Sequence, residues 1–430
     1  SQAMAKGYVK SLRNIEYVPE QLLLTIDKDE TKQYTVEELL ALGLRDEDWI
    51  RRSVAYSREC SESVVTESLK LLENKRRDGS KVPHKIIAVA CSIDHAEQIK
   101  QLYVEKGYRA EQIFNWLYVE KVKSFDDMTN LSLELREKLK QNYTMCNFEI
   151  LSKQESSDGT KKYLFDVLDG NAIETVLMEY HHGKTICVSS QIGCKMGCKF
   201  CASTGIAFVR GLTAGEIVEQ ILAVEQDIGE HISNIVFMGI GEPFDNYDNV
   251  MHAIRIINNQ KGLNIGARHI SVSTSGLVPR IYDFANEELQ CTLSISLHAT
   301  DDEKRSAMMP VNNLYSIEEL MKACKYYIEK TNKRISFEYA LAKDNNDNLQ
   351  DAKALVNLLK GMLCHVNLIP INKIENGKFT KSSNDNIIKF RDYLNDHGIV
   401  ATIRRELGSD IDAACGQLRR KKLKKQEDNE

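Results

Sequence analysis

Thr185-Ile186-Cys187-Val188-Ser189-Ser190-Gln191-Ile192-Gly193-Cys194-Lys195-Met196-Gly197-Cys198-Lys199-Phe200-Cys201 holds a strand and a metal-binding pattern in one run. Residues 185–192 form a short, largely apolar run that reads as a buried strand. The pattern Cys194-x-x-x-Cys198-x-x-Cys201 begins directly after it. Thiolates this close in sequence can all reach one face of an iron–sulfur cubane from a short loop. A structural zinc site wants four ligands, and no fourth cysteine or histidine lies in the adjoining loops. Three ligands leave one iron of a four-iron cluster open. Phe200, beside the last thiol, reads as its hydrophobic shield.

Moving outward, the chain alternates between strand-like and helix-like patterns. Strands are predicted at 185–192, 233–239, 269–275, 291–298, 335–341, 365–370 and 399–405. Helical periodicity falls between most of them, over Ala214–Gln226, Tyr247–Asn259, Ile317–Glu329, Asn348–Lys360 and Asn384–His397. Repeated strand–helix units in series predict an α/β fold with a parallel sheet, as a full or partial barrel. Reacting groups in such barrels sit at the carboxyl ends of the strands. The chemically interesting residues here fall at those ends. Cys194 follows the first strand and Gly241-Glu242 the second. Ser273-Thr274-Ser275 closes the third, Ser296-Leu297-His298 ends the fourth, and Asn372 follows the sixth.

Gly239-Ile240-Gly241-Glu242-Pro243 resembles the start of a dinucleotide fingerprint, but Phe244 stands where the third glycine belongs. Its glycines allow close approach to backbone. Glu242 offers an acceptor for an ammonium group, such as that of S-adenosylmethionine (SAM) bound at the open iron. Cys415, in Asp412-Ala413-Ala414-Cys415-Gly416-Gln417, has small neighbours that suit a thiol delivered by a loop. Cys187 lies inside the first strand. Cys60, Cys91, Cys146, Cys291, Cys324 and Cys364 read as small buried hydrophobes.

The 430 residues are enough for two or three domains. A formal charge of −5 gives no global pull towards nucleic acid, so any RNA site must use local basic groups. Arg404, Arg405 and the tail Arg419-Arg420-Lys421-Lys422-Leu423-Lys424-Lys425 are the candidates. Eleven cysteines in so long a chain suggest metal or catalysis rather than a disulfide scaffold. The absence of a long apolar run and of a signal pattern at Ser1-Gln2-Ala3-Met4 leads to the expectation of a cytoplasmic protein without membrane contact, and the chain is separately expected to be a monomer.

Residues 1–107 differ in character. Lys85-Ile86-Ile87-Ala88-Val89-Ala90 reads as a buried strand, and the capped helix start after it carries Ser92-Ile93-Asp94-His95-Ala96. This resembles the opening of the second motor lobe of superfamily-two helicases. No phosphate-binding loop accompanies it, since Gly183-Lys184-Thr185 would place Met178 at the loop's first glycine. The expected organisation is a helicase-lobe-like fragment over 1–107 and a small helical accessory domain for docking RNA over 108–164. A barrel over 165–418 and a charged tail over 419–430 complete it.

From about 111 to 422 the chain resembles the RlmN-type dual-specificity adenosine methyltransferases of the radical SAM superfamily. The resemblance rests on Cys187 to Cys194, Phe237 to Pro243, Ser273 to Gly276, Ser296 to Ala299 and the Cys415 loop. It implies a partial (β/α)6 barrel, a 4Fe–4S cluster on Cys194, Cys198 and Cys201, and two SAM molecules per turnover. The implied SAM contacts are Gly241, Glu242, Ser273, Ser296, Leu297, His298 and Asn372. One SAM methylates Cys415, and a second, cleaved to a 5′-deoxyadenosyl radical, activates that methyl for addition to adenine carbon 2. Glu174 is the implied base, and Cys187 releases the product through a disulfide with Cys415. The implied partners are 23S ribosomal RNA, transfer RNA and a low-potential donor such as flavodoxin or ferredoxin. A sister enzyme acting at carbon 8 shares these residues, and Arg404-Arg405-Glu406-Leu407-Gly408-Ser409 reads as the carbon-2 type. A non-enzymatic iron–sulfur regulator, or a fusion impaired by its front end, are the other readings.

Overall fold

A computed structural model of the chain describes residues 24–25, 33–34, 109–181, 183–205, 207–371 and 379–411. Four strands open the main sheet as an antiparallel meander: β1 (Glu149–Glu155), β2 (Lys161–Asp166), β3 (Ala172–Tyr180) and β4 (Gly183–Cys187). From β4 the sheet continues in parallel. It runs through β5 (Asn234–Phe237), β6 (Ile270–Thr274), β7 (Thr292–Ser296), β8 (Ile335–Leu341), β9 (Cys364–Pro370) and β10 (Ala401–Ile403). Strand order follows the sequence from end to end of this ten-stranded sheet. That order belongs to a barrel-type sheet and not to a doubly wound one, whose order reverses at a switch point. The seven parallel strands match the predicted ones. β1, β2 and β3 were not among the expected elements, and they extend the sheet beyond the barrel units.

The crossovers are helical. Two stretches, 109–118 and α1 (Leu133–Asn142), precede the sheet. Then come α2 (Ala214–Ile228), α3 (Tyr247–Asn258), α4 (Val278–Ala285), α5 (Asp302–Met308), α6 (Ile317–Thr331), α7 (Leu349–Leu359) and α8 (Asn384–Asp396). The long ones begin where local chemistry starts a helix. Thr213 and Glu216 exchange side-chain and backbone bonds at the head of α2, and Ser316 and Glu319 do so at α6. Gly229 and Asn332 end the same two helices in the left-handed conformation. α4 and α5 were not expected, because seven or eight residues show too little periodicity to read.

Strand register sorts the side chains into two faces. Ile186, Ile235, Val272, Leu293, Ile295, Phe337 and Val366 join the helices' apolar stripes in the main core. The opposite face is polar, with Ser271, Ser273, Ser294, Ser296, Ser336, Glu338 and Asn367 in register with one another. A parallel sheet buried on both sides normally carries hydrophobic residues on both faces. A polar inner face therefore marks a site.

The sheet also curls. Arg404, just past β10, brings Nη1 to 3.9 Å from Met238 Sδ at the end of β5, although four strands lie between β5 and β10. Leu407 packs against the small apolar group of Val176, Met178 and Cys187 on β3 and β4.

The chain divides into two compact units, Ser1–Ile113 and Phe114–Glu430. In the first, Leu24–Thr25 pairs antiparallel with Gln33–Tyr34. The helicase-like reading of 1–107 otherwise falls outside the described residues, as do Asn372 and Cys415. Among the described residues no helix is long and apolar enough to cross a membrane.

Candidate active site

The carboxyl ends of the parallel strands surround a cavity of about 300 Å³. The loop after β4 contributes Cys194, Cys198, Phe200 and Cys201, and β5 contributes Met238, Gly239, Gly241 and Glu242. Ser273, Thr274 and Ser275 come from β6, Ser296 and His298 from β7, and Glu338 and Ala340 from β8. Ile369, Pro370 and Ile371 line it from β9, and Arg404 from beyond β10. Of the expected residues, this unites the three cysteines with Gly241, Glu242, Ser273, Ser296 and His298. The side chain of Leu297 instead enters the main core.

Close packing makes the cysteine loop. Gly193 has φ +80°, and a Cβ there would sit 2.1 Å from the Ala207 carbonyl oxygen, so only glycine fits immediately before Cys194. At Gly241, φ +108°, a Cβ would meet Gln191 at 2.6 Å. The second glycine is therefore required by the neighbouring loop's backbone and side chain, a reason apart from ligand approach. Lys199 N–H donates to the Met308 carbonyl at 2.8 Å, tying the loop to the end of α5.

Burial pushes the Cys194 thiol up to about 11. Burial and then the neighbouring thiols of Cys201 and Cys194 push Cys198 up as well. Such thiols hold their protons at neutral pH until a metal displaces them. Among the described residues no three His, Cys, Asp or Glu side chains converge as a single metal ion requires. The thiols instead share one cavity wall. The other cavity groups that could bind a metal, Glu338, His298 and Glu242, each accept hydrogen bonds from the protein, Glu338 from Ser336 and Asn367. His298 Nδ1 accepts from Ala340 N–H at 3.0 Å. The Glu242 oxygens accept from Ser275 N–H at 2.7 Å and Phe244 N–H at 3.0 Å. Three thiols remain as the soft donors able to ionise, the set a cubane with one open iron takes.

The adjoining wall suits a polar ligand. Burial raises the Glu242 carboxyl while those amide bonds oppose the shift. Ser275 Oγ is buried beside that carboxylate without a hydrogen bond of normal geometry. An orphaned hydroxyl on a cavity wall is what a bound polar group would satisfy. His298 stands edge-on to Phe200, with ring centroids 4.7 Å apart. Its backbone is left-handed at φ 57°, and burial lowers its imidazole to about 3. With Nδ1 accepting, the neutral ring presents Nε2–H as a donor.

Arg305 of α5 was missed in sequence. It is fully buried and donates to the carbonyls of Ser275, Ser296 and Leu297, bracing the ends of β6 and β7. Burial pulls its guanidinium down to about 10. Glu338 was also missed, and its one signal was a lone carboxylate in the run Ile335-Ser336-Phe337-Glu338-Tyr339. Arg404, expected at RNA phosphate, lies on the cavity, and Arg405 is exposed.

Glu174 and Cys187 do not line the cavity. They lie on the same face of β3 and β4, since Val176 pairs with Cys187 and Glu174 is two residues from Val176. Both are buried, and Glu174 forms a buried ion pair with Lys162 at 2.9 Å. The segment after β10 is gripped by the turn between β1 and β2. Gly408 N–H donates to Asp158 at 2.8 Å, and Asp410 accepts from Ser157 N–H at 3.0 Å and from the Ser156 hydroxyl.

A sequentially ordered parallel sheet with a three-cysteine loop after its first parallel strand defines a class, the radical SAM enzymes. The Radical SAM superfamily model matches residues 188–356. A second model, the ribosomal RNA large subunit methyltransferase N-terminal domain, matches 97–145 and so begins inside the segment read as helicase-like. A probable dual-specificity RNA methyltransferase RlmN of Clostridium botulinum is 55% identical over 324 residues, which are 75% of this chain and 93% of that protein. Its counterpart from Staphylococcus carnosus is 54% identical over 331 residues, 76% of this chain and 91% of the relative. The crystal structure of a radical SAM methyltransferase from Sphaerobacter thermophilus superposes with a TM-score of 0.69 at 43% identity, covering 75% of this chain and 96% of that one. The chain belongs to the RlmN family of radical SAM RNA methyltransferases, whose cofactors are a 4Fe–4S cluster and SAM.

Proposed function

We propose that this protein methylates carbon 2 of a specific adenosine in 23S ribosomal RNA and in transfer RNA. Cys194, Cys198 and Cys201 hold the cluster, and Gly241, Glu242, Ser273, Ser296, His298, the Leu297 backbone and Asn372 bind SAM. When bound, these cofactors supply an electron and a radical able to remove hydrogen from a methyl group. Glu242 receives the SAM ammonium, and the His298 Nε2–H donates to a polar group of the same ligand. The Cys415 thiolate accepts a methyl group and carries it to the base. Glu174, balanced by Lys162, takes the proton that leaves the adenine carbon. Cys187 then attacks the Cys415 sulfur and breaks its bond to the carbon now on the base; that carbon takes a proton to become the methyl group, and a disulfide remains as the RNA departs.

The observation that carries this reading is the packing of Leu407, in the segment leading to Cys415, against the group that contains Cys187. A pair of thiols on separate elements needs such an approach to exchange. The protein works in the cytoplasm as a monomer and takes its electron from a flavodoxin or ferredoxin.

The test uses anaerobic, cluster-reconstituted protein with SAM, reductant and protein-free 23S RNA or transfer RNA. Digested RNA is compared by mass spectrometry with carbon-2 and carbon-8 methyladenosine standards. Carbon-2 methyladenosine together with 5′-deoxyadenosine is the expected result. Carbon-8 product, or neither product from protein with an intact cluster, overturns the proposal.

A further inference from the structure

Two charged side chains inside the barrel have no part in the methyl transfer described above. Glu338 lies midway along β8 and is only 4% exposed. The Ser336 hydroxyl donates to its Oε1 at 3.1 Å, and Asn367 Nδ2 donates to its Oε2 at 2.8 Å. Neighbours on β8 and β9 thus fix the carboxylate's orientation, and each oxygen keeps an accepting lone pair. Arg404 comes from the end of β10, two strands from Glu338 in the same sheet. Its backbone N–H completes the β9–β10 ladder by donating to the Leu368 carbonyl at 2.8 Å. Its guanidinium reaches across to the Met238 sulfur at 3.9 Å.

Both groups line the cavity, and the arginine's charge acts on Glu338 without an ion pair between them. A guanidinium half-withdrawn from water whose one side-chain acceptor among the described residues is a thioether is poorly compensated. So is a buried carboxylate with vacant lone pairs. One ligand bearing a donor next to an acceptor would complete both.

We propose that Glu338 and Arg404 read the base of the target adenosine, the carboxylate accepting from the exocyclic amino group and the guanidinium donating to N7. Adenine presents an amino donor beside a ring-nitrogen acceptor on that edge, whereas guanine presents two acceptors there and meets the carboxylate's repulsion. SAM also carries adenine, but Arg404 lies against Met238, which packs on the group containing Cys187, and this favours the RNA base whose product Cys187 releases. Glu338 pairs with Ser296 across β7 and β8, level with the strand ends. A base enters such a cavity only when turned out of its stack. The amino–N7 edge also lies opposite carbon 2, leaving that carbon open, while it adjoins carbon 8. In this last respect the inference rests on the proposed carbon-2 reading.

The test measures the affinity of the full-length, anaerobically reconstituted protein for a fluorescent 23S RNA hairpin containing the target adenosine. Hairpins with purine, which lacks the amino group, or 7-deazaadenine, which lacks N7, replace that position. Purine is expected to weaken binding to the unaltered protein by about tenfold and to E338A by less than about twofold. 7-Deazaadenine is expected to behave likewise with R404M, and both variants should keep their SAM affinity in equilibrium dialysis. An equal purine penalty in E338A and the unaltered protein would overturn the proposal. So would loss of SAM affinity in either variant, which would assign the pair to the cofactor's adenine. Should E338A not fold, the R404M comparison decides alone. Failure of carbon-2 methylation would sink the functional reading while these binding comparisons remain readable.

Discussion

His298 shows how a single side chain acquires its chemistry from its place. Its Nδ1 is committed to the Ala340 amide, its ring packs on Phe200, and its imidazole is lowered to about 3. The unfolded chain takes up a proton near the ordinary value of about 6.5, which the folded protein refuses until near 3. Stability from this group is therefore complete above about pH 6.5 and lost as pH falls towards 3. Between pH 7.5 and 5.5 the protein is expected to lose about 1.4 kcal/mol more than H298N does, measured by urea unfolding. Asn tolerates the left-handed backbone and stays neutral, so parallel slopes would exclude His298 as the source. The histidine was legible in sequence from its strand-end position. Glu338 was not, because one carboxylate within a strand says nothing of which face the strand turns to a cavity.

The turn between β1 and β2 does at the scale of an element what no single motif revealed. Asp158 holds the Gly408 amide while Asp410 holds Ser156 and Ser157 of the turn, a reciprocal grip on the segment that leads to Cys415. The Gly408 amide is the largest cause holding the Asp158 carboxyl well below the usual carboxylate range. Loosening this grip should misplace the Cys415 loop and spare the cluster and SAM. D158A and D410A are expected to cleave SAM at the normal rate while methylating RNA up to about a hundredfold more slowly. Equal losses of 5′-deoxyadenosine and methylated RNA would show instead a general collapse of the barrel. The partnership joins residues 250 apart in sequence. Such a pairing leaves no local signature, and the hairpin that makes it was absent from the expected elements. The long helices and the parallel strands were readable because periodicity and caps are local.

For the whole molecule, the family model starting at 97 divides the front of the chain differently from the composition, which placed the seam near 107. A chain beginning at Glu97 is expected to match the full-length protein in SAM cleavage and RNA methylation. One beginning at Glu111 should retain SAM cleavage and lose RNA affinity, read by anisotropy and by product yield. Full RNA affinity in the shorter chain would remove residues 97–110 from docking. By itself the sequence determined the parallel strand order, the three-thiol loop and the strand-end rim. Each of these follows from short-range spacing, from the reach of a loop or from the alternation of buried faces. Only the tertiary structure decided that Arg404 faces a cavity, that Glu338 lines the same cavity, and that Arg305 braces two strand ends. Those placements arise from the curl of the sheet. It brings the end of β10 back to β3, β4 and β5, a closure set by packing over hundreds of residues and by no stretch of the chain alone.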